Sequence, residues 1–275
     1  MRLLMIAIAA AGLVACDRAA EEAPKAEAKP VVLTYDGAGA TDPAAVLKHG
    51  ARLSDVLSCS GCHGANLQGK NVTADDPAYG DMNAPNLTLV MAKYSDSDFI
   101  RLMREGVPKD GREFWFMPVE SFSHLSEPDM AALLAHLRSY KPAGKQLPPI
   151  RKGKGFAEDI ERGFTNATSQ IARARAAAPV DLGQTHARGR YIAMTTCTGC
   201  HNNQLQGYDG FTPDLDIAGS YSAAELTRLL TTGEGKVKKN LGLMSEVARE
   251  HFSKLTEGER AAVVAYVKAR VDRPQ

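Results

Sequence analysis

The chain has 275 residues, 44% hydrophobic and 24% charged, with a formal net charge of +1. Its length is enough for two domains of ordinary size. The near balance of charge excludes nucleic-acid binding or a polybasic membrane-binding surface as the basis of its function.

At the front, Arg2 precedes an apolar run over residues 3–14. A charged start and an apolar stretch of this length read as an export signal, too short to cross a bilayer as a helix. The run ends LVAC at 13–16, which resembles the lipobox of bacterial lipoproteins, where the cysteine is acylated and opens the mature chain. Residues 1–15 are therefore expected to be a lipoprotein signal peptide and Cys16 the lipidation site. The competing reading is ordinary cleavage near Ala15 with an incidental cysteine. Several acyl chains on one residue anchor stably where one binds only marginally. The expected location is thus the bacterial periplasm, with the chain held to a membrane through Cys16. Without residues 1–15 the chain keeps 32 basic and 32 acidic side chains. Residues 16–43, rich in Ala, Glu, Lys and Pro, read as a disordered tether, spanning about 30 Å root-mean-square if flexible.

Beyond it the sequence is duplicated. CSGCHGANLQG at 59–69 and CTGCHNNQLQG at 197–207 agree at seven of eleven positions. Tyr94, Ser95, Arg101, Leu102 and Gly106 recur in order as Tyr221, Ser222, Arg228, Leu229 and Gly233, and each tyrosine stands 23 residues before a methionine, Met117 or Met244. FSHLSEPD at 122–129 parallels FSKLTEGE at 252–259. Four matches in one order mark two copies of one fold, assigned to residues 44–142 and 184–275.

Each copy reads as helices. Asp42 followed by Pro43 is an N-cap with proline at the first helical position, opening a helix toward Leu57; its counterpart runs through Tyr191 and Met194 toward Thr196. Ser95 and Asp98 form a capping-box pattern for a helix over about 96–105 burying Phe99, Leu102 and Met103. The matching helix from Ser222 to Thr231 offers Leu226, Leu229 and Leu230. Ser126 with Asp129, and Thr256 with Glu259, are further capping-box patterns for terminal helices burying Met130, Leu133, Leu134 and Leu137, or Val263, Val264 and Val267. No stretch alternates as a strand, so both domains are expected to be all-α with first and last helices crossing. Residues 143–183 read as a linker, with one weakly amphipathic helix over 156–178.

The chemistry lies in the two CxxCH segments. Two thiols on one turn of backbone suit the two vinyl groups of a haem, and a histidine directly after the second reaches its iron. Cys59, Cys62, Cys197 and Cys200 are thus haem-attachment residues, and His63 and His201 iron ligands, for two covalently bound haems c. A zinc site from the four cysteines would leave both histidines unexplained, and a thioredoxin-like pair needs a βαβ setting that is absent. A thioether on the opposite face favours ferrous iron. Met117, in the aromatic stretch EFWFMP at 113–118, and Met244, in LGLMS at 241–245, share their offset from the tyrosines and lead for that role. Met82 is the rival in the first copy, while Met91, Met103, Met130 and Met194 fall in helical patterns as core. His49, His124, His136, His186 and His251 read as packing or surface residues, with His124 and His251 in roughly corresponding places. The basic run of Lys236, Lys238 and Lys239 reads as a solvated surface or as a face steering an acidic partner.

On these residues the chain resembles dihaem cytochromes c, in particular the cytochrome subunits of bacterial membrane-bound alcohol and related dehydrogenases. The resemblance rests on residues 59–64, NLT at 86–88, SDSDF at 95–99, Gly106 with Val107, Met117 with Pro118, and Leu125 with Ser126. It is looser over 184–270, where Asp214 with Leu215 and Met244 with Ser245 replace the fuller motifs. Members of that group commonly carry three haems, and this chain has attachment sites for two. The resemblance implies a class I cytochrome c fold in each half, with His63 and His201 proximal and Met117 and Met244 distal. Both irons would be six-coordinate, which favours single-electron transfer over catalysis. The expected partners are a dehydrogenase or quinol-oxidising complex and a terminal acceptor. The alternative is a dihaem redox enzyme, a peroxidase or sulfur-compound oxidoreductase, with one labile axial ligand; a haem sensor or assembly subunit ranks third.

Overall fold

Helix α1, Pro43–Val56, starts where Asp42 accepts from the Ala45 amide and Pro43 supplies a preset φ. The short α2, Cys59–His63, follows. Two-residue strands β1 (Lys70–Asn71), β2 (Gly80–Asp81) and β3 (Asn83–Ala84) come next, with β1 and β3 antiparallel. Asn86 caps α3, Leu87–Met91. Helix α4, Asp96–Glu105, has the full Ser95–Asp98 capping box and ends at Gly106 with φ 69°, a left-handed position that costs glycine nothing. Helices α5 (Val119–Phe122) and α6 (Glu127–Arg138) close the first copy.

The segment between the copies holds strand β4 (Arg151–Lys152), antiparallel to β2, and two helices, α7 (Lys154–Glu161) and α8 (Ala167–Ala176). The single helix expected there is broken. Gly163 takes φ 101° and Asn166 starts a new helix by accepting from the Ser169 amide.

The second copy repeats the first. It contains α9 (Ala187–Thr196), α10 (Thr198–His201), α11 (Ala223–Thr232), α12 (Leu243–Glu250) and α13 (Glu257–Val271). Helix α11 carries the Ser222–Glu225 box and stops at Gly233 with φ 75°. Among the described residues the fold is all-α apart from four minimal strands.

This computed structural model describes residues 31–273. The expected signal peptide, the Cys16 lipidation site and tether residues 16–30 lie outside the described residues. Residues 32–273 group as one compact unit with a continuous hydrophobic core. First and last helices cross in each copy, as the pattern predicts. Gly50 of α1 lies on the Ala132 carbonyl of α6, and Gly189 of α9 on the Ala262 carbonyl of α13.

The seam between copies is polar, buried and pseudo-symmetric. Asp129, at the third position of α6, is fully buried and accepts from His49 Nε2 (2.7 Å), the Tyr35 amide (3.0 Å) and the Tyr191 hydroxyl of the other copy (2.6 Å). Glu259, at the third position of α13, is equally buried and takes the Arg52 guanidinium of the other copy at 2.7 Å.

Two expectations change here. Thr256 and Glu259 form their capping box, but Ser126 and Asp129 do not: the shorter Asp129 carboxylate is drawn to Tyr35, His49 and Tyr191, the Ser126 hydroxyl donates to that carboxylate, and the Ser126 amide donates to the Tyr191 hydroxyl instead. Within the stretch expected to be a tether, Tyr35 is 1% exposed, its hydroxyl 2.6 Å from Thr195 Oγ1, while Asp36 meets Arg188 at 2.6 Å. The stretch from residue 33 therefore belongs to the fold, because its one aromatic ring and two polar anchors find partners on both copies.

Candidate functional site

Both CxxCH segments are single helical turns, so Cys59, Cys62 and His63, and likewise Cys197, Cys200 and His201, project from one short piece of backbone. Each turn is cut off directly after its histidine, by Gly64 at φ 77° and Asn202 at φ 57°. The chain then folds back in the same way twice. The Gly69 amide donates to the His63 carbonyl at 2.8 Å and the Gly207 amide to the His201 carbonyl at 2.9 Å. The agreement of the two eleven-residue stretches is thus an agreement of backbone conformation.

The histidines are oriented by partners that sequence reasoning passed over. His63 Nδ1 lies 2.8 Å from the Pro85 carbonyl, and His201 Nδ1 2.9 Å from the Pro213 carbonyl. A carbonyl only accepts, so Nδ1 carries the hydrogen and Nε2 keeps its lone pair. Burial pushes both imidazoles below their ordinary pKa and holds them neutral. A neutral imidazole with a free Nε2 and a hydrogen-bonded Nδ1 is the form in which histidine ligates a metal. The signal was present in the parallel of Pro85, Asn86, Leu87 with Pro213, Asp214, Leu215. Asn86 and Asp214 each cap the next turn, which fixes the preceding proline carbonyl in place.

The four cysteines of these segments form no disulfide with one another. Desolvation pushes the Cys59 and Cys197 thiols up to about 11 and raises those of Cys62 and Cys200 as well. Among the described residues, no group of three or more His, Cys, Asp or Glu could hold a metal ion by itself. The residues therefore fit a haem held by thioether bonds, with iron bound from one side by histidine.

Met117 and Met244 are half-buried and pack against the main core. Met117 follows Phe116, whose φ is 68°, and also touches the cluster of Val119, Ala167 and Ile171. Met244 sits in the first turn of α12, after Gly242 at φ 64° and beside Leu243, which is 55% exposed. Met82 is buried, its amide donating to Thr73 Oγ1 at 3.1 Å. Met91, Met103, Met130 and Met194 are all core residues. Lys236 donates to the Ser220 carbonyl at 2.6 Å and lies 3.4 Å from Glu225, and Lys239 lies 3.8 Å from Glu234, so much of that basic run is neutralised locally.

The CxxCH turn of each copy also packs on the other copy. Thr198 Oγ1 is 2.7 Å from Ser121 Oγ, and a methyl group at Gly199 would stand 2.8 Å from Pro118, next to Met117. Conversely, a methyl group at Gly61 would lie 3.4 Å from His251 Nε2, and His251 Nδ1 donates to the Asp55 carbonyl at 2.8 Å. His124 Nε2 meets Asn203 Oδ1 at 2.9 Å. The two histidines in corresponding places are therefore seam residues. Glu120 is buried, with one carboxylate oxygen unpartnered, and burial pushes it up to about 7.

Comparison with known proteins follows the same division. The family model for cytochrome c matches residues 47–141 and again 186–270. A nicotinate dehydrogenase subunit of Pseudomonas putida is 28% identical over 90% of this chain and 24% of its own length. The gluconate 2-dehydrogenase cytochrome c subunit of Pantoea cypripedii is 25% identical over 82% of this chain and 59% of its own length. The chain thus spans a quarter of one relative and somewhat under two thirds of the other.

Proposed function

The chain belongs to the cytochrome c family, and on that premise we propose that it is an exported, membrane-anchored dihaem electron carrier serving a dehydrogenase or quinol-oxidising complex. The observation that supports it best is the paired hydrogen bond from His63 to the Pro85 carbonyl and from His201 to the Pro213 carbonyl, which leaves Nε2 free in both copies. In this reading Cys59 and Cys62 hold one haem and Cys197 and Cys200 the other. His63 and Met117 would hold the iron of the first, and His201 and Met244 that of the second. A haem so held supplies an iron that exchanges one electron between its ferric and ferrous states. Two protein ligands to each iron would leave no position for substrate, which favours transfer over catalysis.

A dehydrogenase is the favoured donor, because both relatives carry that word in their names. Cys16 would carry the lipid and the periplasm would be the compartment. No helix among the described residues is long and apolar enough to cross a membrane.

The test is purification from a haem-loading bacterial host. Two covalently attached haems per chain are expected, falling to one when Cys197 and Cys200 are both changed to Ser. Both should be low-spin, and the reduced protein should ignore carbon monoxide. Rapid gas binding at one haem in the resting reduced protein would move the assignment to the enzyme reading. Thiols that stay free of porphyrin would end it.

A further inference from the structure

We propose that the segment between the two copies is a clamp that holds Met117 in its ligating position, with Phe156 and Phe164 as the positioning residues. The inference rests on the reading of Met117 as a haem ligand and deepens it. Phe116, directly before Met117, is one of few non-glycine residues at positive φ, a conformation that persists only when its surroundings impose it.

Those surroundings come mainly from the linker. The Phe116 ring lies 5.5 Å from Phe156, 5.2 Å from Phe164 and 5.9 Å from Tyr79, centroid to centroid. Trp115 stands edge-on to Phe156 at 5.1 Å, and the Lys152 ammonium lies 4.7 Å from the Trp115 ring. Phe156 is fully buried. On the other side of the loop, the Ala167 amide of α8 donates to the Phe114 carbonyl at 2.8 Å, and Met117 packs on Ala167 and Ile171. The linker is itself pinned to the first copy. Strand β4 pairs with β2, and the Tyr79 hydroxyl donates to Asp159 at 2.6 Å. Residues 113–117 are thus gripped by side chains that belong to neither attachment segment.

The second copy has no such grip. The stretch 241–245 contains no aromatic residue. Its turn is held by the Leu241 amide on Ser245 Oγ at 2.8 Å, and that hydroxyl donates to the Gly233 carbonyl at 2.5 Å.

The experiment compares the full-length dihaem protein with its Phe156→Ala, Phe164→Ala and Met117→Ala variants. Ferric methionine-ligated haem gives a weak near-red sulfur-to-iron absorption band, and loss of that ligand opens the ferrous iron to carbon monoxide. Phe156→Ala is expected to lower the band toward half of its wild-type intensity and to admit up to one carbon monoxide per chain, approaching Met117→Ala. Phe156→Leu should restore part of the band. Phe164→Ala should act in the same direction, and supplies the answer if Phe156→Ala does not fold. A Phe156 or Phe164 variant that is less heat-stable yet keeps the whole band and excludes the gas, while Met117→Ala loses half, overturns the clamp and leaves the ligand assignment standing. A full band in Met117→Ala overturns both.

Discussion

Gly50 sits where α1 crosses α6, and a methyl group there is the sharpest probe of the packing that brings the first attachment segment to its place. A Cβ at Gly50 would stand 2.0 Å from the Ala132 carbonyl oxygen and 2.8 Å from His136 Cβ. Close carbon-to-oxygen contacts run to about 3.3 Å, so the helices would have to part by about 1 Å. Backbone cannot swing aside as a flexible side chain can. Overpacking of this kind costs about 1–3 kcal/mol, and a backbone clash belongs at the upper end. Alanine returns about 0.5–1 kcal/mol through its better helix propensity. The net loss is about 2 kcal/mol, or about 4–8 °C in the thermal midpoint of a protein of this size. Gly189→Ala repeats the argument in the second copy, with the Ala262 carbonyl at 2.1 Å. Gly39→Ala is the control, since its Cβ would meet nothing within 4 Å. Thermal unfolding of the haem-loaded protein followed by far-ultraviolet circular dichroism makes the comparison. A Gly50→Ala midpoint at or above that of wild type would refute the crossing geometry.

Two further outcomes follow from the buried acids. Arg52→Met removes the guanidinium that pairs with fully buried Glu259 and is expected to cost about 3–5 kcal/mol in urea unfolding; the double variant with Glu259→Gln should recover part of it, and a cost within about 0.5 kcal/mol of zero would contradict a buried pair. For Glu120, burial raises the carboxyl from its ordinary 4.5 to about 7. Between those values the folded chain binds more protons than the unfolded one, so stability falls as pH rises through that window and is level above it. The loss is on the order of 3 kcal/mol at about 1.4 kcal/mol per unit. Unfolding free energies at about pH 5 and about pH 8 should differ less in Glu120→Gln than in wild type; parallel behaviour of the two proteins would remove this account.

The parts of the fold legible in the sequence were those specified by neighbours along the chain. The α4 and α11 capping boxes, the glycines that end those helices and the single-turn attachment segments each depend on a few adjacent residues. Asp129 shows where that logic ends. Its pattern is that of a box partner, yet Tyr191 and Tyr35, far away in sequence, compete for the same oxygens and win. Arg52 and Tyr191 gave no periodic signal of their role, because each serves a carboxylate on the opposite copy. The two CxxCH histidines stood out as candidates from their motif, whereas their proline partners show only once Asn86 and Asp214 are seen to perform one task twice. The linker was opaque for a related reason. Phe156 and Phe164 are spaced as weak helix signals, and their purpose becomes visible only beside Phe116.

The anchorage of Tyr35 and Asp36 has a mechanical side. Tyr35 is grasped by Asp129 of the first copy and Thr195 of the second, and Asp36 by Arg188 and Glu259 of the second. Tension applied to the chain ahead of them is delivered to the joint between the halves, where it is shared by several short bonds, rather than to either attachment turn. A tug from that end therefore loads the seam between the copies and spares the residues that would grip its cofactors.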